Sequence, residues 1–293
     1  MRIGLFTPFT NPVATLPLIR TVGEQADKRG FHSMWLAEHV VLFDKPHSSY
    51  PYSPDGKLNL GADAGILEPF TTMGFLAGCT SRIRLGTGIC LLPQRNPLYT
   101  AKEVSNLDYL SNGRVDLGIG IGWLREEFEA LGVDWARRGA RTDEYVQILK
   151  TLWCDNVSQF DGEFHTLPAC TMFPKPVHQP HPPIYVGGES DAALGRVARL
   201  GQGWHGFNHT PQSAAERIGK LRSLLSEHGR SPDDVDITVA VPAGTPVSLE
   251  DVKRYREAGV DQLTIPIFPG DADAARAVID DLAKRILEPA AAL

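Results

Sequence analysis

Short apolar runs alternate with amphipathic stretches along the whole chain. Residues 2–7 read as a first buried strand, and residues 16–29 as a helix carrying Leu16, Ile19, Val22 and Ala26 on one face. The same alternation predicts further strands at 32–37, 83–89, 114–119, 183–187, 203–206, 235–240 and 261–266. Helices are predicted at 69–80, 97–111, 142–153, 191–200, 211–228, 248–258 and 271–287, and a small hairpin around Asp161-Gly162. Eight βα units in this order predict an α/β chain closed into a (β/α)8 TIM barrel, with an open doubly wound sheet as the competing arrangement. Long insertions follow strands two and four: a Pro-, Tyr- and Ser-rich loop over 40–66, and a segment running through Arg137-Arg138-Gly139-Ala140-Arg141. A Pro- and His-rich excursion covers 155–182. No internal repeat or low-complexity linker divides the chain, so residues 1–293 read as a single barrel domain.

In a parallel barrel the C-terminal strand ends open onto one face, where active sites are built. Strand two ends in Trp35-Leu36-Ala37-Glu38-His39. His39 is the strongest candidate for proton transfer near neutral pH, although a lone histidine also serves as a helix cap or loop residue. Glu38 has three readings: it orients the imidazole, faces a cofactor, or is solvated. Strand three ends in Gly86-Thr87-Gly88-Ile89. Glycines inside a strand mark a bulge or a close approach. They suit either small inward side chains or a planar ring packed on bulged backbone. Strand four continues as Gly118-Ile119-Gly120-Ile121-Gly122-Trp123, which lacks the G-x-G-x-x-G spacing of a dinucleotide loop. Small residues there leave room for a ring system above them. Gly187-Gly188-Glu189-Ser190 precedes helix five and reads as an anion site at a helix N-terminus or as a plain turn with a capping serine.

Composition narrows the chemistry. A net charge of -6 without a basic run argues against nucleic acid as a partner. No apolar run reaches membrane-spanning length, and the N-terminus lacks a signal-peptide core, so a cytoplasmic protein is expected. Cys79, Cys90, Cys154 and Cys170 show no CxxC spacing and read as reduced thiols. The histidines form neither HxH nor HExxH, so no metal is expected, and there is no G-x-S-x-G elbow for serine hydrolysis.

Taken together these segments resemble the bacterial luciferase-like superfamily of flavin- and deazaflavin-dependent enzymes, most closely its coenzyme F420-dependent oxidoreductase branch. The resemblance runs through Trp35-Leu36-Ala37-Glu38-His39, Tyr50-Pro51-Tyr52-Ser53-Pro54-Asp55-Gly56 and Arg82-Ile83-Arg84-Leu85-Gly86-Thr87-Gly88. It continues through Leu107-Asp108-Tyr109-Leu110-Ser111-Asn112-Gly113-Arg114 and Gly120-Ile121-Gly122-Trp123-Leu124-Arg125-Glu126-Glu127-Phe128. It ends with Pro182-Pro183-Ile184-Tyr185-Val186-Gly187-Gly188 and Gly203-Trp204. The resemblance implies a ring on the C-terminal face of the barrel and a non-prolyl cis peptide between Gly88 and Ile89. It implies a cofactor site of Glu38, His39, Thr87, Gly88, Ile89, Leu91, Ile121, Gly122, Glu126, Gly187, Gly188, Glu189 and Ser190, with Gly187 and Gly188 at the phosphate. His39 falls beside the reacting ring as the catalytic residue, and Glu38 replaces the usual aspartate. Trp123 stands where related glucose-6-phosphate dehydrogenases carry a proton-donating glutamate, which argues for a flatter, apolar substrate pocket with Tyr50 and Tyr52. Arg95, Arg125, Arg137, Arg138 and Arg141 are candidates to meet the anionic F420 tail. The expected activity is F420-dependent hydride transfer to or from a small organic substrate, in a homo-oligomer. Two alternatives stand beside it. One is an FMN-dependent monooxygenase that uses reduced flavin, oxygen and a flavin reductase partner. The other is a catalytically silent flavin-binding protein.

Overall fold

Short strands that are apolar on both faces are stable only in a sheet covered outside and filled inside. The computed structural model, which describes residues 1–61 and 63–292, places eight such strands in parallel. They are β1 (Arg2–Phe6), β2 (Ser33–Leu36), β3 (Arg84–Thr87) and β4 (Val115–Gly120). Then follow β5 (Ile184–Gly187), β6 (Gly203–Phe207), β7 (Asp236–Ala240) and β8 (Gln262–Pro266). Each pairs with the next, and β8 returns to β1 with Ile265 opposite Leu5, so the sheet closes into a barrel and the open-sheet alternative falls away.

The outer ring is α1 (Leu16–Arg29), α2 (Pro69–Cys79), α3 (Pro97–Ser111), α4 (Arg125–Ala130) and α5 (Arg138–Cys154). It is completed by α6 (Asp191–Leu200), α7 (Pro211–Glu227), α8 (Leu249–Glu257) and α9 (Ala272–Leu282). Starts are set locally: Thr15, Asn96, Ser190, Thr210, Ser248 and Asp271 each cap a first turn through a side-chain oxygen. Among the described residues no helix is long and apolar enough to cross a membrane.

The clearest departures from the sequence reading lie after strands three and four. Strand three stops at Thr87, the Gly88–Ile89 peptide is cis, and Cys90–Leu91 then pairs with Ile119–Gly120 at the end of β4. The insertion after strand four contains the short helix α4, and α5 begins at Arg138 instead of residue 142. The excursion after α5 forms the expected hairpin, Ser158–Asp161 with Thr166–Cys170. The Glu144 carboxylate accepts N–H bonds from Glu163 (2.7 Å) and Phe164 (3.0 Å) and so pulls this hairpin onto α5.

The barrel interior is filled with aromatic rings. The buried Trp35 indole sits 5.1 Å from Tyr185 and 4.6 Å from the His205 ring. A Cβ on Gly86 would stand 2.6 Å from the Trp35 ring, and one on Gly118 would stand 3.2 Å from it. These two glycines therefore make room for protein, the simpler of the two readings of their pattern. Tyr185 in turn donates to Asp236 at 2.6 Å, across the floor of the barrel.

Candidate active site

β2 runs out at Leu36 and delivers His39 to the mouth of the barrel. The short helix α4 packs with Glu127 and Phe128 fully buried. That orientation brings Glu127 Oε2 to 3.1 Å from His39 Nδ1. The other oxygen of Glu127 accepts the N–H of Val40 at 2.6 Å and of Val41 at 3.3 Å, and Gln94 donates its amide to Oε2 at 3.1 Å. Burial works against the charge on Glu127, but the bonds from His39, Gln94 and Val40 outweigh it and hold the carboxyl below the usual glutamate range. On the other side of the imidazole, the Trp123 indole N–H donates to Nε2 at 3.2 Å. The two rings meet edge to face with centroids 5.6 Å apart.

Several expected cofactor ligands have their side chains engaged within the protein. Glu38 does not orient His39 and is not solvated. Its carboxylate accepts the Leu91 N–H and the Arg95 guanidinium, with Nε at 2.7 Å. Arg95 also reaches Glu68 at 2.6 Å and Glu103 at 3.1 Å and lies over the Phe70 ring, so it serves this knot and not an anionic tail. Thr87 Oγ1 donates to the Gly118 carbonyl at 2.6 Å. Ser190 caps α6 at Ala193 N. Glu189 accepts the Phe207 N–H at 2.9 Å and pairs with His209. Glu126 accepts the N–H groups of His47 and Ser48. Desolvation opposes its charge, yet those bonds together with the Ser48 hydroxyl draw its pKa down to about 2.

Of the five arginines, Arg125 pairs with Glu129 and Arg137 with Glu163, while Arg141 donates to the Asp134 carbonyl. Arg138 forms no ion pair among the described residues. It lies 3.5 Å over the Trp135 ring, with Nε 3.4 Å from the Gly122 carbonyl, and burial lowers its pKa.

Tyr50, Tyr52 and Trp123 lie together, and two further rings, Phe207 and Phe6, join them. A row of ring edges crosses the mouth from Trp123 to Tyr50 (5.1 Å), Tyr52 (5.6 Å), Phe207 (5.0 Å) and Phe6 (5.3 Å). Burial raises the pKa of Tyr50, and burial with the nearby Glu189 charge raises that of Tyr52 further. The loop after β2 therefore spans the barrel from the β4 side to the β6 side. At the ends of β4 and β5 the glycines pack closely against the Ile89 and Phe128 side chains. A Cβ on Gly187 would stand 2.9 Å from the Ile89 side chain, and Gly122 and Gly188 adopt φ of 78° and 107°. Gly188 leads into the N-terminus of α6, where backbone N–H groups are unpaired within the helix. Among the described residues, no group of three or more His, Cys, Asp or Glu could hold a metal ion.

Phe6, Phe207, Gln94 and Glu127 carry parts of this arrangement that the sequence reading did not single out. Phe6 was accessible by the rule that picked out the other strand ends. Glu127 was not, because nothing in the sequence separates it from its neighbour Glu126.

Comparisons agree with this architecture. Over 266 residues the chain is 32% identical to the uncharacterized protein Rv0940c of Mycobacterium tuberculosis, covering 90% of this chain and 88% of that one. In fold it is similar to the monooxygenase RslO1 of Streptomyces bottropensis, with TM-score 0.76, 21% identity, and 98% and 99% of the two chains covered. It is equally similar to the coenzyme F420-dependent tetrahydromethanopterin reductase of Methanopyrus kandleri, with TM-score 0.75, 16% identity and 98% of each chain covered. The luciferase-like monooxygenase family model matches residues 1–292. The chain belongs to this luciferase-like family of oxidoreductases and monooxygenases.

Proposed function

We propose that this protein is an F420-dependent oxidoreductase that transfers a hydride to or from a small, largely apolar organic substrate. The observation that carries the reading is His39, held at both ring nitrogens and placed at the barrel mouth between Glu127 and the aromatic row. Moving a hydride on or off an oxygen-bearing carbon requires a partner for the coupled proton, and a positioned imidazole supplies it.

The residues at the mouth fit a flat ring with a phosphate-bearing chain. Gly88, Ile89, Ile121 and Gly122 would flank the ring with backbone and aliphatic side chains. Gly187, Gly188 and the first turn of α6 would take the phosphate, where the helix N-terminus favours an anion. Arg138, without a carboxylate partner, would favour an acidic tail. When bound, F420 supplies a ring carbon that gives or accepts a hydride, in place of the flavin nitrogen on which oxygen chemistry depends. His39 moves the proton, Glu127 balances the imidazolium charge, and Tyr50, Tyr52 and Trp123 exclude water and wall the substrate.

Titrating the apoprotein with F420 and with FMN, followed by tryptophan quenching, tests the cofactor. F420 is expected to bind more tightly, and Arg138→Gln to weaken F420 more than FMN. Preference for FMN would overturn the reading in favour of oxygen-dependent monooxygenation with a separate reductase. Tight binding without turnover across a broad substrate panel would point to a silent flavin-binding protein. His39→Ala is expected to cut kcat by about 100-fold while leaving the F420 dissociation constant unchanged. Unchanged turnover would remove His39 from the chemistry.

A further inference from the structure

The Glu127 carboxylate is fully enclosed and holds four donors on its two oxygens. Oε2 takes His39 Nδ1 and the Gln94 amide, each at 3.1 Å. Oε1 takes the Val40 N–H at 2.6 Å and the Val41 N–H at 3.3 Å. His39 and Val40 are consecutive, so one rigid carboxylate grips both the imidazole and the peptide that follows it. The ring cannot turn about its Cα–Cβ bond, and the peptide cannot lift, without breaking that grip. Val40 and Val41 expose their side chains, so the loop is held here by its main chain. Gln94 is buried and, among the described residues, makes its one side-chain bond to Glu127. The same short stretch of chain fastens the rest of the incoming loop. The Arg125 N–H donates to Ser48 Oγ at 3.0 Å, Glu126 accepts the His47 and Ser48 N–H groups, and Trp123 meets the Tyr50 ring.

We propose that Glu127 is a positioning residue that joins two events, the seating of the loop over the mouth and the alignment of His39. With the Val40 and Val41 N–H groups on Oε1, the plane of the carboxylate is fixed and Oε2 is aimed at Nδ1. When the loop lifts, Oε1 loses both donors, the carboxylate is free to turn, and the imidazole loses its bearing. His39 is therefore aligned for proton transfer only beneath the closed wall of Tyr50 and Tyr52, so that closure completes the site as well as covering it. By linkage the coupling runs both ways: if seating the loop aligns the histidine, an aligned histidine seats the loop. The inference rests on the role given to His39 in the proposed function, and not on whether the bound ring is F420 or FMN.

Both directions are tested in cofactor-free protein. In His39→Ala, amide hydrogen exchange at Val40 and Val41 should run about tenfold faster than in wild type, because the loop loses its second hold on the carboxylate. Unchanged exchange would overturn the coupling, since Oε1 alone would then hold the loop. Val40→Pro removes the N–H at 2.6 Å, at an exposed side chain, and leaves both His39 and Glu127 present. The His39 Nδ1–H proton resonance, assigned by its loss in His39→Asn, should be sharp in wild type and broadened by solvent exchange in Val40→Pro. A sharp signal in the variant would show that Glu127 aligns the ring without the loop, and would overturn the proposal. Should Val40→Pro not fold, the exchange result decides by itself. With reduced F420 and cyclohexenone, Val40→Pro should lose kcat about 100-fold with KM little changed. A rise in KM alone would reduce the loop to a substrate wall and overturn the proposal. Should wild type not reduce this enone, the two cofactor-free measurements decide. If F420 fails to bind while both couplings persist, the hydride reading falls and the joint role of Glu127 stands.

Discussion

Gly86 has a neighbour that no larger residue tolerates, the Trp35 ring 2.6 Å from where its Cβ would stand. Gly86→Ala should therefore destabilise the fold by about 1–3 kcal/mol, read from the urea midpoint. Wild-type stability in that variant would mean that the ring gives way easily and the glycine serves something else. The sequence announced a close approach at Gly86 but could not name the partner, because strand pairing alone brings residue 35 opposite residue 86. The same limit hid Glu127. His39 was legible from its own position, as an ionisable residue after a buried run. Its carboxylate partner lies 88 positions away on a helix of six residues, too short for its periodicity to show which of two adjacent glutamates turns inward.

At the scale of elements, the most consequential contact is the knot that joins the end of β2 to the segment after β3. Glu38 is buried, and Arg95 neutralises it while also holding Glu68 and Glu103. Removing the cation alone leaves an uncompensated buried carboxylate. Arg95→Met is expected to cost about 3–5 kcal/mol. Adding Glu38→Gln should recover a substantial part of that loss in the same unfolding assay, and no recovery would show that Arg95 acts through packing on Phe70 instead. The sequence displayed Arg95 among five arginines near active-site loops, where an anionic ligand was a reasonable partner. Only the fold reveals that three of them, Arg95, Arg125 and Arg137, already pair with carboxylates of the protein. Helix boundaries were legible wherever a capping side chain stood at the start. The start of α5 was not, because Arg137 precedes it in a left-handed conformation without a side-chain cap.

At the scale of the whole molecule, eightfold alternation made the barrel legible, while closure needed the β8–β1 register. The filled interior also sets a pH dependence. Burial lowers the His205 pKa from 6.5 to about 4, and burial together with Arg2 and Arg84 lowers that of His32 to about 4. Both groups bind fewer protons folded than unfolded, so their stability is complete above pH 6.5 and is lost as pH falls toward 4. For the fully enclosed His205 the loss is about 3 kcal/mol. Urea midpoints should be flat above pH 6.5 and fall below it, and His205→Asn should flatten the fall; an unaltered slope would exclude His205 as its source. The loop across the mouth has a different importance. Its fastenings at Val40, Val41, His47 and Ser48 are main-chain N–H groups held by Glu127 and Glu126. Any residue other than proline offers that N–H, so substitutions in the loop other than at Ser48, whose hydroxyl accepts the Arg125 N–H, leave these bonds in place. The aromatic wall formed by Tyr50 and Tyr52 can therefore be rebuilt without loosening the main-chain hydrogen bonds that tie its loop to the barrel.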